Sequence, residues 1–370
     1  MLISSQYCLA LSLIPGVGIA RFRSLVDAFG AIEKVFGHTA DEYRAAKLPE
    51  AAAQALAAVT SVEALIAPEL ALAEKFGTAI HTIFDADYPE RLRTIPDPPL
   101  VLYSRGAWPQ NYAAAIGIVG TRNLSEYARR QTFRLGAEAA QRGSLVISGL
   151  AFGADAAAHR GVLSVNGRTL AVLAGGLSSI QPREHEGLAA EMLEHGGTLI
   201  SESPLLSPAG AARFARRNRL IAALSDAVIV TEAGTKSGAL ITADYAQKYG
   251  RKVFALPGQV DNPQTVGVHR LLKNGAGLVE SIADVLGADA GELFPTESAA
   301  PTPNIELTSA QQEICRRLAK KSATIEQLAV QLPEQRDTLI GDLMFLELSE
   351  LVRRDTDRHY RLTANFAGKK

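Results

Sequence analysis

The chain predicts an α/β protein built on a parallel sheet, and two patterns carry the prediction. From Ala114 onward, short apolar runs alternate with helical stretches of ten or more residues, the order that gives a parallel sheet covered by helices on both faces. The apolar runs end in small residues, so Gly120, Gly149, Gly153, Gly175, Gly176, Gly234 and Gly258 collect at one edge of that sheet. Open α/β sheets hold their ligands outside the carboxyl ends of the strands. An arginine block, Arg213-Phe-Ala-Arg-Arg-Asn-Arg219, sits inside this series with no acidic residue between Glu202 and Asp226. Glycine loops beside an arginine block suit the holding of phosphates.

The elements follow in order. Residues 1–80 read as helical. Leu11-Ser-Leu-Ile-Pro-Gly-Val-Gly18 precedes a helical pattern through Phe22, Leu25, Val26 and Phe29 that closes at Gly30. This is the pattern of a helix-hairpin-helix, whose glycine turn offers backbone N–H groups to a phosphate; a plain helical hairpin is the alternative. The alanine-rich stretch 51–58 is a helix former. Residues 81–110, with Tyr88-Pro89 and Ile95-Pro-Asp-Pro-Pro99, read as a lead-in that caps the next domain. Strands are expected at 115–120, 145–149, 169–174, 198–202, 227–231, 252–256 and 277–280, within a domain covering 81–290. Residues 291–307 have linker composition. The tail, 308–370, reads as helices at 309–319, 324–332 and 334–351, then a hairpin at 352–362, the order of a winged helix.

Composition limits the function classes. A net charge of -1 argues against coating nucleic acid with the whole surface, but leaves room for a local basic groove. Cys8 and Cys315 form no metal pattern and are not expected to pair; so sparse a usage fits a reducing cytoplasm. The amino terminus has no basic residue before Arg21, unlike a secretory signal, and no apolar run has the length of a membrane span. No metal and no cofactor are expected, since the seven histidines are scattered without ligand spacing, no cysteine cluster suits zinc and the three-glycine dinucleotide pattern is absent; the lack of a nucleophile elbow speaks against an enzyme.

Candidate contacts lie at the strand ends. Gly117-Ile-Val-Gly-Thr-Arg122 lacks the three-glycine dinucleotide pattern, and Arg122 stands beside a helix expected to start near Ser125, as a phosphate clamp or in a surface ion pair. The loop Ser148-Gly-Leu-Ala-Phe-Gly-Ala-Asp155 lets backbone approach a ligand, with Asp155 either at that ligand or in the first helical turn. His159 reads as a packed core histidine, and the Gly175-Gly176 loop is a weak motif by itself. Arg213, Arg216 and Arg217 fall near one helical face, with Phe214 placed to stack on a base or to enter the core. Asn218 and Arg219 have a structural reading as well. Lys236-Ser237 invites a nucleotide-loop reading, but Thr235 replaces the glycine that loop requires before its lysine, so hydrolysis by that route is rejected. The third helix of the tail, with Glu334, Asp337, Asp342, Glu347 and Glu350 against Arg336, is too acidic to enter a major groove; protein contact fits it better.

In this order, Val119-Gly-Thr-Arg122, Ser148–His159, Phe214-Ala-Arg-Arg-Asn-Arg-Leu-Ile221, Ser237-Gly-Ala-Leu-Ile-Thr-Ala243 and Ala255-Leu-Pro-Gly258 resemble the DNA-processing protein A family (DprA, also called Smf), and Asp87-Tyr-Pro-Glu90 fits as well. The resemblance covers essentially the whole chain. It implies an extended Rossmann-like domain, a SAM-like helical domain before it and a winged helix after it. It further implies a non-enzymatic, cytoplasmic homodimer that binds single-stranded DNA, protects it and loads RecA onto it during natural transformation. Carried over by position, the DNA contacts are Arg122, Ser148, Gly149, Gly175, Gly176, Phe214, Arg216 and Arg217, with Lys236 and Ser237 as further candidates. The family's usual Tyr-Pro pair and Asn are replaced by Ile180-Gln-Pro182 and His185, so contacts from those side chains are not carried over, whereas Phe214-Ala215 in place of its Phe-Pro alters local rigidity more than charge. Two other readings stay open. Glu232 with Gly234-Thr235 echoes the LOG-type phosphoribohydrolases, which hydrolyse nucleoside monophosphates, and the tail could make the chain a duplex-binding transcription regulator.

Overall fold

Runs such as Ala115–Val119 and Thr169–Leu173 are buried along their whole length, as parallel strands covered on both faces must be. The computed structural model describes residues 2–287, 307–336, 338–348, 351–354 and 359–362. The chain divides into two compact units, Met1–Thr296 and Glu297–Lys370.

The first unit opens with helices α1 (Ser4–Leu13), α2 (Ile19–Phe29), α3 (Ala40–Ala45), α4 (Glu50–Ala57) and α5 (Val62–Lys75). The expected hairpin is the α1–α2 pair, and α2 ends where Gly30 takes a left-handed conformation, φ 83°. Then come β1 (Ala79–Thr82), α6 (Glu90–Arg93), β2 (Val101–Arg105), β3 (Ala115–Val119), α7 (Glu126–Gln141), β4 (Leu145–Ser148), α8 (Ala154–Leu163) and β5 (Thr169–Leu173). The unit continues through α9 (Glu186–Glu194), β6 (Thr198–Ser201), α10 (Ala211–Leu224), β7 (Ala227–Val230), α11 (Gly238–Lys248), β8 (Lys252–Ala255), α12 (Val266–Lys273), β9 (Gly277–Leu278) and α13 (Ile282–Leu286).

The nine strands form one sheet in the order β1-β2-β6-β5-β4-β3-β7-β8-β9. The wholly parallel sheet is corrected at one edge. The lead-in contributes β2, which pairs antiparallel with both β1 and β6. Val101, Leu102 and Tyr103 are buried there on successive positions, and neighbouring prolines hid that strand in the sequence. The seven strands from β6 to β9 are parallel. The chain winds from β3 outward to β6, then returns so that β7 lies on the other side of β3. The β3–β7 boundary is therefore the topological switch point, where a crevice opens at the strands' carboxyl ends.

One apolar core runs from Leu9, Leu25 and Ile66 of the helical segment to Tyr103, Leu173, Leu188 and Leu199 beside the sheet. Glu69 of α5 also accepts a hydrogen bond from Leu205 N at 2.7 Å. The helical segment is thus fixed against the loop that follows β6.

The second unit contains α14 (Ser309–Lys320), α15 (Ile325–Gln331), α16 (Leu339–Leu348) and an antiparallel pair, β10 (Val352–Arg354) and β11 (Tyr360–Leu362). Ile314, Leu328, Leu343, Leu346 and Tyr360 form its core. The expected third helix at 334–351 starts later, because Pro333 opens a separate 3-10 turn. Asp337, Glu350 and Arg358 lie outside the described residues, as does the expected linker except for Leu307. Ile340 and Met344 on α16 are exposed.

Candidate nucleic-acid interface

A cleft of about 810 Å³ opens at the switch point. Val119, Gly120, Thr121 and Arg122 form the wall beyond β3, and Gly234 through Ala239 the wall beyond β7. The first turns of α10, with Ala211, Phe214 and Arg217, close the third side. Fold topology therefore brings Arg122, Phe214, Arg217, Lys236 and Ser237 together from three distant stretches of sequence.

Each of these side chains has a definite setting. Arg122 is exposed. It makes no ion pair among the described residues, and its guanidinium carbon lies 4.6 Å from the centre of the Phe214 ring, a cation–π contact. Phe214 is half-buried, so part of its ring remains available at the cleft. Lys236 is exposed, and Ser237 caps α11 by accepting from Ala239 N at 3.4 Å.

The remaining expected contacts lie deeper. Ser148 is fully buried, and its hydroxyl donates to Ile118 O at 2.6 Å. Gly149 packs against the Arg217 guanidinium, which donates to Gly149 O at 2.7 Å and also to Val172 O. Arg217 is 3% exposed, and burial pushes its pKa down to about 10, so it stays charged at neutral pH. Gly175 and Gly176 lie beneath the segment from Pro204 to Ala209, with Gly176 N donating to Ser207 O at 2.9 Å. Ser148, Gly149, Gly175 and Gly176, expected at a ligand, do not line this cleft. Gly149 instead gives room to the Arg217 guanidinium, which does line the cleft.

Other residues hold the same frame. Leu150 has φ 56°, rare for a branched residue. Three bonds fix it: Gly149 N and Ala151 N donate to Asp155 Oδ2 at 3.1 and 3.2 Å, and His185 Nδ1 donates to Leu150 O at 2.8 Å. Asp155 therefore braces the loop from within its helix. Burial raises its pKa, while Arg217 and the two N–H donors pull it back. Glu232 is 1% exposed and accepts from Ser125 N at 2.8 Å and from Asn262 Nδ2 at 3.2 Å. It does not line the cleft, which weakens its reading as the glutamate of a phosphoribohydrolase.

His159 is the packed histidine the sequence suggested, fully buried with Nδ1 donating to Thr169 Oγ1 at 2.8 Å. Burial pushes its pKa down to about 3. The unfolded chain binds this proton below about pH 6.5 whereas the folded protein excludes it down to about pH 3, so stability falls as pH drops between those values. Between pH 6.5 and 5 this one group should remove about 2 kcal/mol. Urea unfolding of the wild type should show the loss, and His159→Gln should flatten the profile there; an unchanged slope in the variant would assign it to other groups.

Distance in sequence hid the neutralisation of the arginine block. Arg219 Nε lies 2.9 Å from Asp97 Oδ2 and Nη2 lies 2.6 Å from Glu202 Oε2, while Arg216 Nη2 lies 3.3 Å from the same Glu202 oxygen. Arg219 is structural, as one reading of the sequence has it. Asn218 donates to Gly238 O at 3.1 Å, tying α10 to α11. The carboxylates come from the lead-in and from the end of β6, and the proline-rich setting of Asp97 is the one local sign that the lead-in packs closely.

Together, the sheet order and the cleft define a Rossmann-like α/β protein with an arginine- and lysine-bearing crevice at its switch point. Comparison with known proteins gives the family. The profile of the DNA recombination-mediator protein A family matches residues 79–288, and the chain belongs to that family. It is 44% identical over 209 residues to Protein Smf of Escherichia coli, 56% of each chain being aligned, so the match spans about half the length of that relative. The structure is similar to DNA processing protein A of Streptococcus pneumoniae, with a TM-score of 0.60 and 26% identity over 77% of this chain and 98% of that one. It is also similar to the Helicobacter pylori protein, described for its single-stranded DNA binding mode, with a TM-score of 0.51 and 28% identity over 57% of this chain and 94% of that one.

Proposed function

We propose that this chain binds single-stranded DNA in the switch-point cleft and acts as a non-enzymatic recombination mediator, protecting incoming strands and loading RecA onto them during natural transformation. The carrying observation is the convergence of exposed Arg122, exposed Lys236 and half-buried Phe214 on one cleft. Cations grip a phosphate backbone without reading sequence, and an aromatic face stacks any base. The likeness to the Helicobacter pylori protein supports the same choice of ligand. A crevice at the carboxyl ends of the strands admits one backbone with splayed bases, which favours a single strand over duplex. A homodimer in the cytoplasm, presenting two such clefts to one strand, would raise avidity.

Fluorescence anisotropy with a labelled single strand tests the reading. Unlabelled single strand should displace it at far lower concentration than duplex of equal length, and affinity should fall steeply with salt. Equal displacement by duplex would defeat the crevice argument.

A further inference from the structure

We propose that the strand held in the switch-point cleft continues over the first turns of α10 and seats a backbone phosphate in a second cleft, at the amino terminus of α2. The inference rests on the reading that the first cleft binds single-stranded DNA. The second cleft has a volume of about 780 Å³. Its walls are the α1–α2 turn from Ser12 to Arg21 on one side, and Arg213, Arg216, Arg219 and Glu202 on the other. Arg217 belongs to the walls of both clefts. Ala211, Phe214 and Ala215 line the first, whereas Arg213 and Arg216, on the same turns of α10, line the second. A chain leaving Phe214 therefore has only this turn to cross.

The chemistry of the second cleft suits an anion. Gly18 caps α2 without a side-chain hydrogen bond, and the first turn of that eleven-residue helix carries no acidic residue. Its leading N–H groups lack intrahelical acceptors and lie at the positive end of the helix dipole. A second, independent feature points the same way. Arg219 is 1% exposed and forms part of the cleft wall, yet its buried Nη1 has no hydrogen-bond partner. Five arginines line the cleft, Arg21, Arg213, Arg216, Arg217 and Arg219, against two carboxylates, Asp97 and Glu202. The surplus of positive charge lies close to the helix terminus. A Cβ built on Gly18 would stand 4.0 Å from Arg216 Nη2, so one phosphate can accept from both the α2 backbone and Arg216.

Gly18→Asp is the discriminating variant. Gly18 has extended backbone, φ -111° and ψ -175°, which an N-cap aspartate adopts readily. The new carboxylate caps α2 and faces Arg216, occupying the proposed site without loss of stability; Tm should be equal or higher. Binding is measured with labelled oligothymidylates of about 5 and about 20 nucleotides, one near the lower end of the usual span of one single-strand site and one beyond its upper end. The variant should bind the short strand within about twofold of wild type and the long strand about tenfold more weakly, with a salt slope on the long strand reduced by about 0.7 for each phosphate released. Arg213→Ala/Arg216→Ala should reproduce this pattern. Unchanged affinity for the long strand, or equal loss on both lengths, overturns the second cleft. Arg122→Ala serves as the control on the underlying reading and should weaken both lengths; if it weakens neither, the first cleft fails, and the track across α10 fails with it.

Discussion

Arg219→Ala should cost about 3–5 kcal/mol of folding stability, the usual result of breaking a buried ion pair from one side. The guanidinium is 1% exposed and ties α10 both to Asp97 before β2 and to Glu202 after β6. Without it, the Glu202 carboxylate keeps Arg216 at 3.3 Å, a side chain 60% exposed and already partly in water. The pair's net worth is a separate quantity. Replacing Arg219 and its more deeply buried partner by apolar residues of similar size, as in Arg219→Met/Glu202→Leu, should recover most of the loss, because the Glu202 carboxylate is then not left stranded and Asp97, 47% exposed, keeps water and the Tyr249 hydroxyl. Urea denaturation of the two single variants and the double variant closes the cycle. A loss below about 1 kcal/mol in Arg219→Ala would show that the network contributes little and that α10 is held by its apolar face alone.

The same network shows how far sequence carries this protein. Five of the seven parallel strands, β3 to β7, were legible because both their faces are buried, so each reads as an apolar run, while β8 and β9 towards the edge are partly exposed and were read from the alternation with helices. The helices of the first 80 residues were legible too, through apolar spacing and glycine stops such as Gly30. The antiparallel edge was not. In β1, residues of mixed polarity spread over four positions with an exposed start, and in β2 a true strand is hidden behind Pro98 and Pro99. Charge was the hardest part. The arginine block looked unopposed because its acidic partners sit far away along the chain, and only the fold sets Asp97 and Glu202 against Arg219. The block therefore divides by depth. Arg217 and Arg219 organise the interior, while Arg213 and Arg216 remain exposed. Likewise, glycines at strand ends carry two meanings that sequence does not separate. Gly120 and Gly234 line the cleft, whereas Gly149 and Gly176 exist to let Arg217 and Leu205 come close.

Arg122 and Phe214 should be the pair on which DNA affinity turns. Base–aromatic stacking contributes about 1–3 kcal/mol per base, so Phe214→Ala should weaken single-strand binding by about 5–150-fold. Arg122→Ala should lower affinity and flatten the salt dependence by about 0.7, the mark of a single phosphate released from a single strand. The two losses should not add. Arg122 rests on the Phe214 ring at 4.6 Å in the free protein, so removing the ring also frees the guanidinium that would meet the phosphate, and residues in contact share their energies. The double variant should accordingly bind better than the product of the single losses predicts. Conservative variants separate stacking from bulk. Phe214→Tyr keeps a π-face and should retain most of the affinity, whereas Phe214→Leu keeps apolar volume and should behave like alanine. If leucine binds as well as phenylalanine, Phe214 serves as packing beneath Arg122, and the cleft grips DNA by charge alone.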